Sequence, residues 1–126
     1  KILIVNANYY RDISKGLLSS ALKSIPKLSK IKIINVPGVF EIAVTISKNL
    51  KKFDGFVALG CVIKGQTPHF DFISQASTQA IMNLSIESKK PIGNGIITCL
   101  SKNQAKARKK KGAEAANAVI SVLSQK

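Results

Sequence analysis

Apolar positions follow two different patterns along this chain. Four short runs are almost continuously apolar and rich in β-branched residues, which is typical of buried strands; they cover residues 2–6, 31–36, 56–61 and 92–98. Between and after them, apolar residues recur at helical spacing over residues 14–25, 40–50, 70–88, 102–110 and 113–123. Strands that alternate with helices predict an α/β chain with a parallel sheet covered on both faces.

Local signals set the expected boundaries of these elements. Ser14 is a candidate cap for the first helix, which Pro26 ends. Gly112 is expected to interrupt the helical structure between the last two helices. Gly93 and Gly95 fall inside the fourth strand, where glycine usually marks a bulge or a close approach by a ligand or another backbone.

Length and composition predict one globular domain over residues 1–126. No apolar run approaches the roughly 20 residues that span a bilayer. The start lacks the features of a signal peptide, so we expect a cytoplasmic protein. Because the sequence does not begin with Met, we also expect residues before Lys1. Cys61 and Cys99 are expected to be reduced, buried thiols, and a single histidine gives no metal-ligand cluster.

The net charge of +14, from 20 basic and 6 acidic residues, raises nucleic-acid binding as an alternative function. The lysines are scattered, however, and the one basic run, residues 108–111, has no interleaved aromatic residues. We therefore favour a solvated basic surface, part of which serves anionic substrates.

Sites in parallel sheets lie at the carboxyl ends of the strands. In residues 60–71, a strand, a turn with Gly65, Gln66 and Thr67, and a helix start with His69 follow one another. Free backbone N–H groups at such a helix start suit a phosphate, although the stretch is neither a Walker loop nor a G-x-G-x-x-G motif. A capped turn without a ligand is the alternative.

Four side chains near strand ends have types that suit chemistry. His69 would shuttle protons near neutral pH, Tyr9 would stack on a planar ring, Glu41 would accept hydrogen bonds from a polyol or amine, and Arg108 would bind a phosphate. Each also has an ordinary structural explanation: a surface histidine, turn packing, a carboxylate at a helix start, or a solvated basic helix.

Four motifs together resemble one family. Residues 36–42 (VPGVFEI), 60–71 (GCVIKGQTPHFD), 95–98 (GIIT) and 111–116 (KGAEAA) are similar to those of 6,7-dimethyl-8-ribityllumazine synthases, in order over essentially the whole chain. The resemblance implies a three-layer α/β/α sandwich with a four-stranded parallel sheet, flavodoxin-like. It also implies a transferase of riboflavin biosynthesis, without metal or organic cofactor. The enzyme would condense 5-amino-6-(D-ribitylamino)uracil with 3,4-dihydroxy-2-butanone 4-phosphate, releasing phosphate and water.

The resemblance also implies roles for individual residues. His69 matches the catalytic histidine, and the phosphate would be held by Gln66 and Thr67 with Arg108 opposite. The pyrimidine and ribityl chain would be held by Tyr9, Val39, Phe40, Glu41, Cys61, Val62, Ile63 and Asn94. The site would lie between subunits of a homopentamer, with Asn94 offered by the neighbouring subunit. Small-molecule substrates are the expected partners, with riboflavin synthase a further candidate and neither nucleic acid nor membrane expected.

Some positions depart from the family's pattern. Tyr9 and Asn94 stand where phenylalanine is more usual, and Asn8 replaces a frequent arginine. The segment from Arg108 to Gly112 is shorter than in members that form sixty-subunit shells, which leaves the match of Lys111 and any assembly beyond a pentamer open.

An inactive paralogue that binds flavin-like ligands or builds a scaffold is a further alternative. The retention of Glu41, Thr67, His69 and Arg108 argues against it.

Overall fold

The computed structural model describes residues 1–65 and 69–125, with the backbone alone for residues 69 and 70. Its sheet has four strands: β1 (Ile2–Ala7), β2 (Ile31–Val36), β3 (Gly55–Ile63) and β4 (Ile92–Cys99). Each strand pairs in parallel with its neighbours, in the order β2-β1-β3-β4. The expected four-stranded parallel sheet is confirmed.

Helices cover the two faces of this sheet. They are α1 (Arg11–Ser24), α2 (Ile42–Lys48, preceded by a 3-10 turn at Val39–Glu41), α3 (His69–Ser88), α4 (Lys102–Ala107) and α5 (Lys111–Leu123). One core joins the sheet to α1 and α5, as in the cluster of Ile4, Leu17 and Val119. The other joins it to α2 and α3. The three-layer α/β/α, flavodoxin-like fold is therefore confirmed.

The two central strands explain the continuous apolar runs in the sequence. Every residue of β1 is buried, and successive residues alternate between the two cores: Ile2 and Ile4 face α1 and α5, while Leu3 and Val5 face α2 and α3. A strand covered on both faces has no solvent-facing side on which polar residues would be favoured.

The expectation that Ser14 caps the first helix is wrong. Helix α1 begins at Arg11, and its N-cap residue, Tyr10, makes no side-chain capping bond. The Ser14 hydroxyl instead donates to the carbonyl of Arg11 at 3.1 Å, and its backbone N–H donates to the carbonyl of Tyr10. Ser14 is therefore already in the first full turn of α1.

The expectation that Gly112 interrupts the helical structure is also wrong. It lies in the first turn of α5, and a Cβ built there would come within 2.1 Å of the Leu17 carbonyl oxygen. Its lack of a side chain lets α1 and α5 pack closely. A Cβ on Gly93 would likewise come within 2.1 Å of the Ala115 carbonyl oxygen, and β4 pairs with β3 from Ile92 to Cys99. The expected close approach of another backbone is thus confirmed for β4, where there is no bulge.

Cys61 and Cys99 are both buried and unpaired, as expected. Within the described part of the chain, none of the helices combines the length and the apolar character that a membrane span requires.

Candidate active site

A cavity of about 320 Å³, hereafter the β1–β3 cavity, opens at the carboxyl ends of the central strands. It is lined by Tyr9 and Tyr10 after β1, by residues 38–40 after β2, by residues 61–63 of β3 and by Ile73 of α3. These segments are far apart in sequence. The parallel order β2-β1-β3 brings their ends to one edge of the sheet, which is where such sheets bind ligands.

The β1–β3 cavity has an apolar floor and aromatic side chains at its mouth. Cys61 and Val62 are buried. Tyr9 and Phe40 are 74% and 68% exposed, which is unusual for large rings and leaves their faces accessible. A mainly apolar cavity with accessible aromatic faces suits a flat ring of the size of a pyrimidine.

Tyr10 is a lining residue that the sequence did not single out. Its ring lies 4.9 Å from that of Tyr9, centroid to centroid, in an edge-on arrangement at 84°. Burial, together with the nearby Tyr9 and Cys61, raises the pKa of Tyr10 above its usual value, so the phenol stays neutral at physiological pH. A second aromatic residue in a polar turn has no distinctive sequence pattern, and only the fold reveals its position.

Cys61 contributes a neutral thiol to the floor of this cavity. Burial, with a smaller effect of Cys99, raises the pKa of Cys61 to about 12. A thiol with such a pKa has almost no thiolate near neutral pH and is a poor nucleophile. The Cys61 side chain therefore lines the cavity as a neutral group.

Glu41 is the last residue of the 3-10 turn and directly follows Phe40, which lines the β1–β3 cavity. The side chain is half-buried, and Oε1 is so close to Gly38 that a Cβ built there would lie 3.2 Å from it. Its backbone carbonyl accepts a bond from the Thr45 hydroxyl at 2.8 Å, which fixes the junction with α2. The carboxylate is thus held next to a cavity-lining residue.

A second cavity of about 680 Å³, hereafter the β4 cavity, lies along the outer strand of the sheet. Asn94 and residues 96–98 of β4 form one wall, with Thr78 of α3 alongside. The other wall comes from the junction of α4 and α5, through residues 107, 108, 110, 111 and 114. Three of these are basic, and the one carboxylate is Glu114, so the cavity favours an anion.

Arg108 caps the carboxyl end of α4 and faces the β4 cavity. Its Nη1 donates to the Thr98 carbonyl at 3.4 Å. The guanidinium also contacts the Cys99 thiol and acts to lower its pKa. Burial has the larger effect, so the pKa of Cys99 is raised. Anchored against β4, the planar fork of Arg108 is suited to a phosphate.

Asn94 lies in the same cavity and is partly used by its own strand. Its Oδ1 accepts a bond from the Ile96 backbone N–H at 3.0 Å, on the outer edge of the sheet. A ligand in the β4 cavity would therefore meet its carboxamide NH₂ group.

The structure thus divides the residues expected from the sequence between two cavities. Six of the pyrimidine and ribityl candidates line the β1–β3 cavity: Tyr9, Val39, Phe40, Cys61, Val62 and Ile63. Asn94, Arg108 and Lys111 line the β4 cavity. His69 is the first residue of α3, but its side chain, like Gln66 and Thr67, lies outside the described residues.

Fold and cavities define a class: an α/β protein with a ring-sized apolar cavity at its central strand ends and a basic cavity at the edge of its sheet. Within that class, a family model described as 6,7-dimethyl-8-ribityllumazine synthase matches residues 1–126. The chain belongs to the 6,7-dimethyl-8-ribityllumazine synthase family.

Curated relatives agree with this assignment. A 6,7-dimethyl-8-ribityllumazine synthase of Methylobacterium radiotolerans is 40% identical, over 100% of this chain and 82% of the relative. One of Bartonella henselae is 42% identical, over 99% of this chain and 87% of the relative. One of Agrobacterium fabrum is 39% identical, over 99% of this chain and 93% of the relative.

Proposed function

We propose that this chain, as one domain over residues 1–126, condenses 5-amino-6-(D-ribitylamino)uracil with 3,4-dihydroxy-2-butanone 4-phosphate. The products are 6,7-dimethyl-8-ribityllumazine, phosphate and water. Membership of the family makes the chain a transferase of riboflavin biosynthesis with small-molecule substrates. One observation carries the proposal furthest: six residues from three separate strand ends, expected to bind the pyrimidine and its ribityl chain, line one cavity.

The β1–β3 cavity takes the pyrimidine in this proposal. Its ring stacks on Tyr9, and its polar edge meets the backbone of residues 61–63. Phe40 and Val39 close the cavity around the ring and the start of the ribityl chain. Glu41, which directly follows Phe40 in the chain, accepts hydrogen bonds from ribityl hydroxyls.

The phosphate of the four-carbon substrate requires fixed donors. Gln66 and Thr67, which precede α3 in the sequence, supply them in this proposal, and the helix dipole at the start of α3 favours an anion. Arg108 supplies a bidentate positive charge, supported by its anchorage to the Thr98 carbonyl.

His69 moves the protons. The pyrimidine's primary amine attacks the ketone to form an imine and one water, phosphate then leaves by elimination, and the second amine attacks the remaining carbonyl and closes the ring with loss of a second water. Each step transfers a proton, and a histidine is suited to that at neutral pH. Much of the remaining acceleration comes from holding two substrates together.

The complete site takes residues from two chains of a pentamer. Within one chain, the ring-binding residues and the pair Asn94 and Arg108 line different cavities. If the β4 cavity of one subunit faces the β1–β3 cavity of the next, Asn94 and Arg108 complete the neighbour's site. The side chains of Phe40, Val44 and Phe72 are apolar and exposed, which supports burial of the 3-10 turn, α2 and the start of α3 in an assembly. We propose the cytoplasm as its location and riboflavin synthase as a candidate partner.

The test is the reaction itself. The purified chain is mixed with both substrates, and lumazine fluorescence and phosphate release are followed together. Equal rates of the two signals, absent when either substrate is omitted, are expected. A folded chain that produces neither signal above the uncatalysed background would overturn the proposal.

A further inference from the structure

The ring of Tyr10 makes two contacts. Its ring meets that of Tyr9 edge-on at 4.9 Å between centroids. The ammonium nitrogen of Lys102 lies 5.8 Å from the centroid of the Tyr10 ring, within the range of a cation–π interaction. Lys102 is the first residue of α4, so the contact links α4 to the turn after β1.

The two tyrosines differ in how firmly they are held. Tyr10 is half-buried and is the N-cap residue of α1, and its carbonyl accepts the Ser14 N–H at 2.9 Å. Tyr9 is 74% exposed. An exposed aromatic side chain samples several rotamers and loses that freedom when it stacks on a ligand, and this loss weakens binding.

We infer that Tyr10 is a positioning residue that holds the Tyr9 ring ready to stack on the pyrimidine substrate, with Lys102 bracing Tyr10 from α4. The inference rests on the proposed function, because stacking by Tyr9 is part of it. An edge-on aromatic contact restricts the Tyr9 ring before the substrate arrives. The gain is therefore specific to the pyrimidine and does not extend to the four-carbon phosphate.

Steady-state kinetics of three variants test this. Tyr10→Leu is expected to raise the KM for the pyrimidine about two- to tenfold, the range of an aromatic pair. Tyr10→Phe keeps the ring and should restore the wild-type KM. Lys102→Met should raise the same KM about two- to fivefold, the range of an exposed cation–π contact. In all three, the KM for 3,4-dihydroxy-2-butanone 4-phosphate should stay unchanged.

Lys106→Met is the matched control, because it removes one positive charge from the same helix. It should leave both KM values unchanged. Lys102→Met also keeps the inference testable if Tyr10→Leu does not fold. A lysine at a helix N-terminus opposes the helix dipole, which offsets the loss of its cation–π contact, so removing Lys102 should change the Tm little.

A double-mutant cycle shows whether Tyr10 acts through Tyr9. In a Tyr9→Leu background, Tyr10→Leu should have no further effect on the KM for the pyrimidine. An equal effect in both backgrounds, a parallel rise in both KM values, or a Tyr10→Phe variant as weak as Tyr10→Leu would overturn the inference. A wild-type chain that forms no lumazine would instead overturn the proposed function.

Discussion

Cys61 illustrates how its surroundings set the protonation of a single residue. The thiol is buried at the end of β3, and burial raises its pKa from the ordinary 9.0 to about 12. Because the unfolded thiol ionises first, the folded chain binds more protons between these two values. The free energy of unfolding therefore falls as pH rises from about 9 towards 12, by at most about 1.4 kcal/mol per pH unit from this group.

This gives a pH-dependent prediction. In urea unfolding at pH 8 and pH 10.5, wild type should lose more stability on going to the higher pH than Cys61→Ala does. Other groups that titrate in this range are common to both proteins and cancel in the comparison. If both proteins lose the same stability, folding does not raise the pKa of the Cys61 thiol.

His69 is assigned the proton transfers, and its replacement gives the second prediction. His69→Ala should lower kcat about 100-fold or more, the usual contribution of a general acid–base group. The measurement is lumazine formation at saturating substrates. Lys64→Ala, a nearby exposed position, is the control and should keep wild-type turnover. Wild-type kcat in His69→Ala would remove the histidine from the mechanism.

The candidate site could be predicted from sequence only in part. Residues after strands, such as Tyr9, Val39 and Cys61, could be found because a parallel sheet gathers strand ends. The position of Tyr10 could not be predicted, because its contact with Lys102 depends on how α4 packs beside the start of α1.

At the scale of elements, small residues fix the distances between helices and the sheet. The clearest cases are Gly93, which faces the Ala115 carbonyl, and Gly112, which faces the Leu17 carbonyl. In both, a Cβ would meet backbone atoms of a packed element, which cannot rotate away as a side chain could.

Substituting these glycines gives the third prediction. Gly93→Ala should lower the free energy of unfolding by about 3 kcal/mol or more, at the upper end for overpacked cores. Gly112→Ala should do the same. Gly65→Ala is the control, because no atom of the described residues lies within 4 Å of a Cβ built there. Chemical denaturation measures all three, and equal stability of Gly93→Ala and Gly65→Ala would contradict the packing described.

The sequence predicted the elements better than their ends. Continuous apolar runs predicted the strands and apolar residues at helical spacing predicted the helices, because burial produces those patterns directly. The predictions for Ser14 and Gly112 were wrong because serine does not only cap helices and glycine does not only end them. Ser14 bonds back within α1, and Gly112 allows two helices to approach. Both uses depend on tertiary packing.

For the whole molecule, the order of strands separates the site residues. Strands β1 and β3 are central, whereas β4 is at an edge. Residues at the ends of β1 and β3 line the β1–β3 cavity, whereas Asn94 and residues 96–98 of β4 line the β4 cavity. A closed ring of identical subunits would bring unlike cavities of neighbouring chains together at every interface, because its contacts are head-to-tail. If the proposed pentamer forms, light scattering should give five times the mass of one chain, and dissociated monomers should be inactive.

Subunit mixing tests the shared site most directly. His69→Ala and Arg108→Ala should each be nearly inactive alone. When equal amounts are unfolded together and refolded, a site built from His69 of one chain and Arg108 of its neighbour is intact wherever the two variants meet in the right order. Random assembly makes about one quarter of the sites intact in a head-to-tail ring, so lumazine formation should recover to about one quarter of the wild-type rate. Mixed oligomers that remain as inactive as the single variants would contradict a site shared between chains.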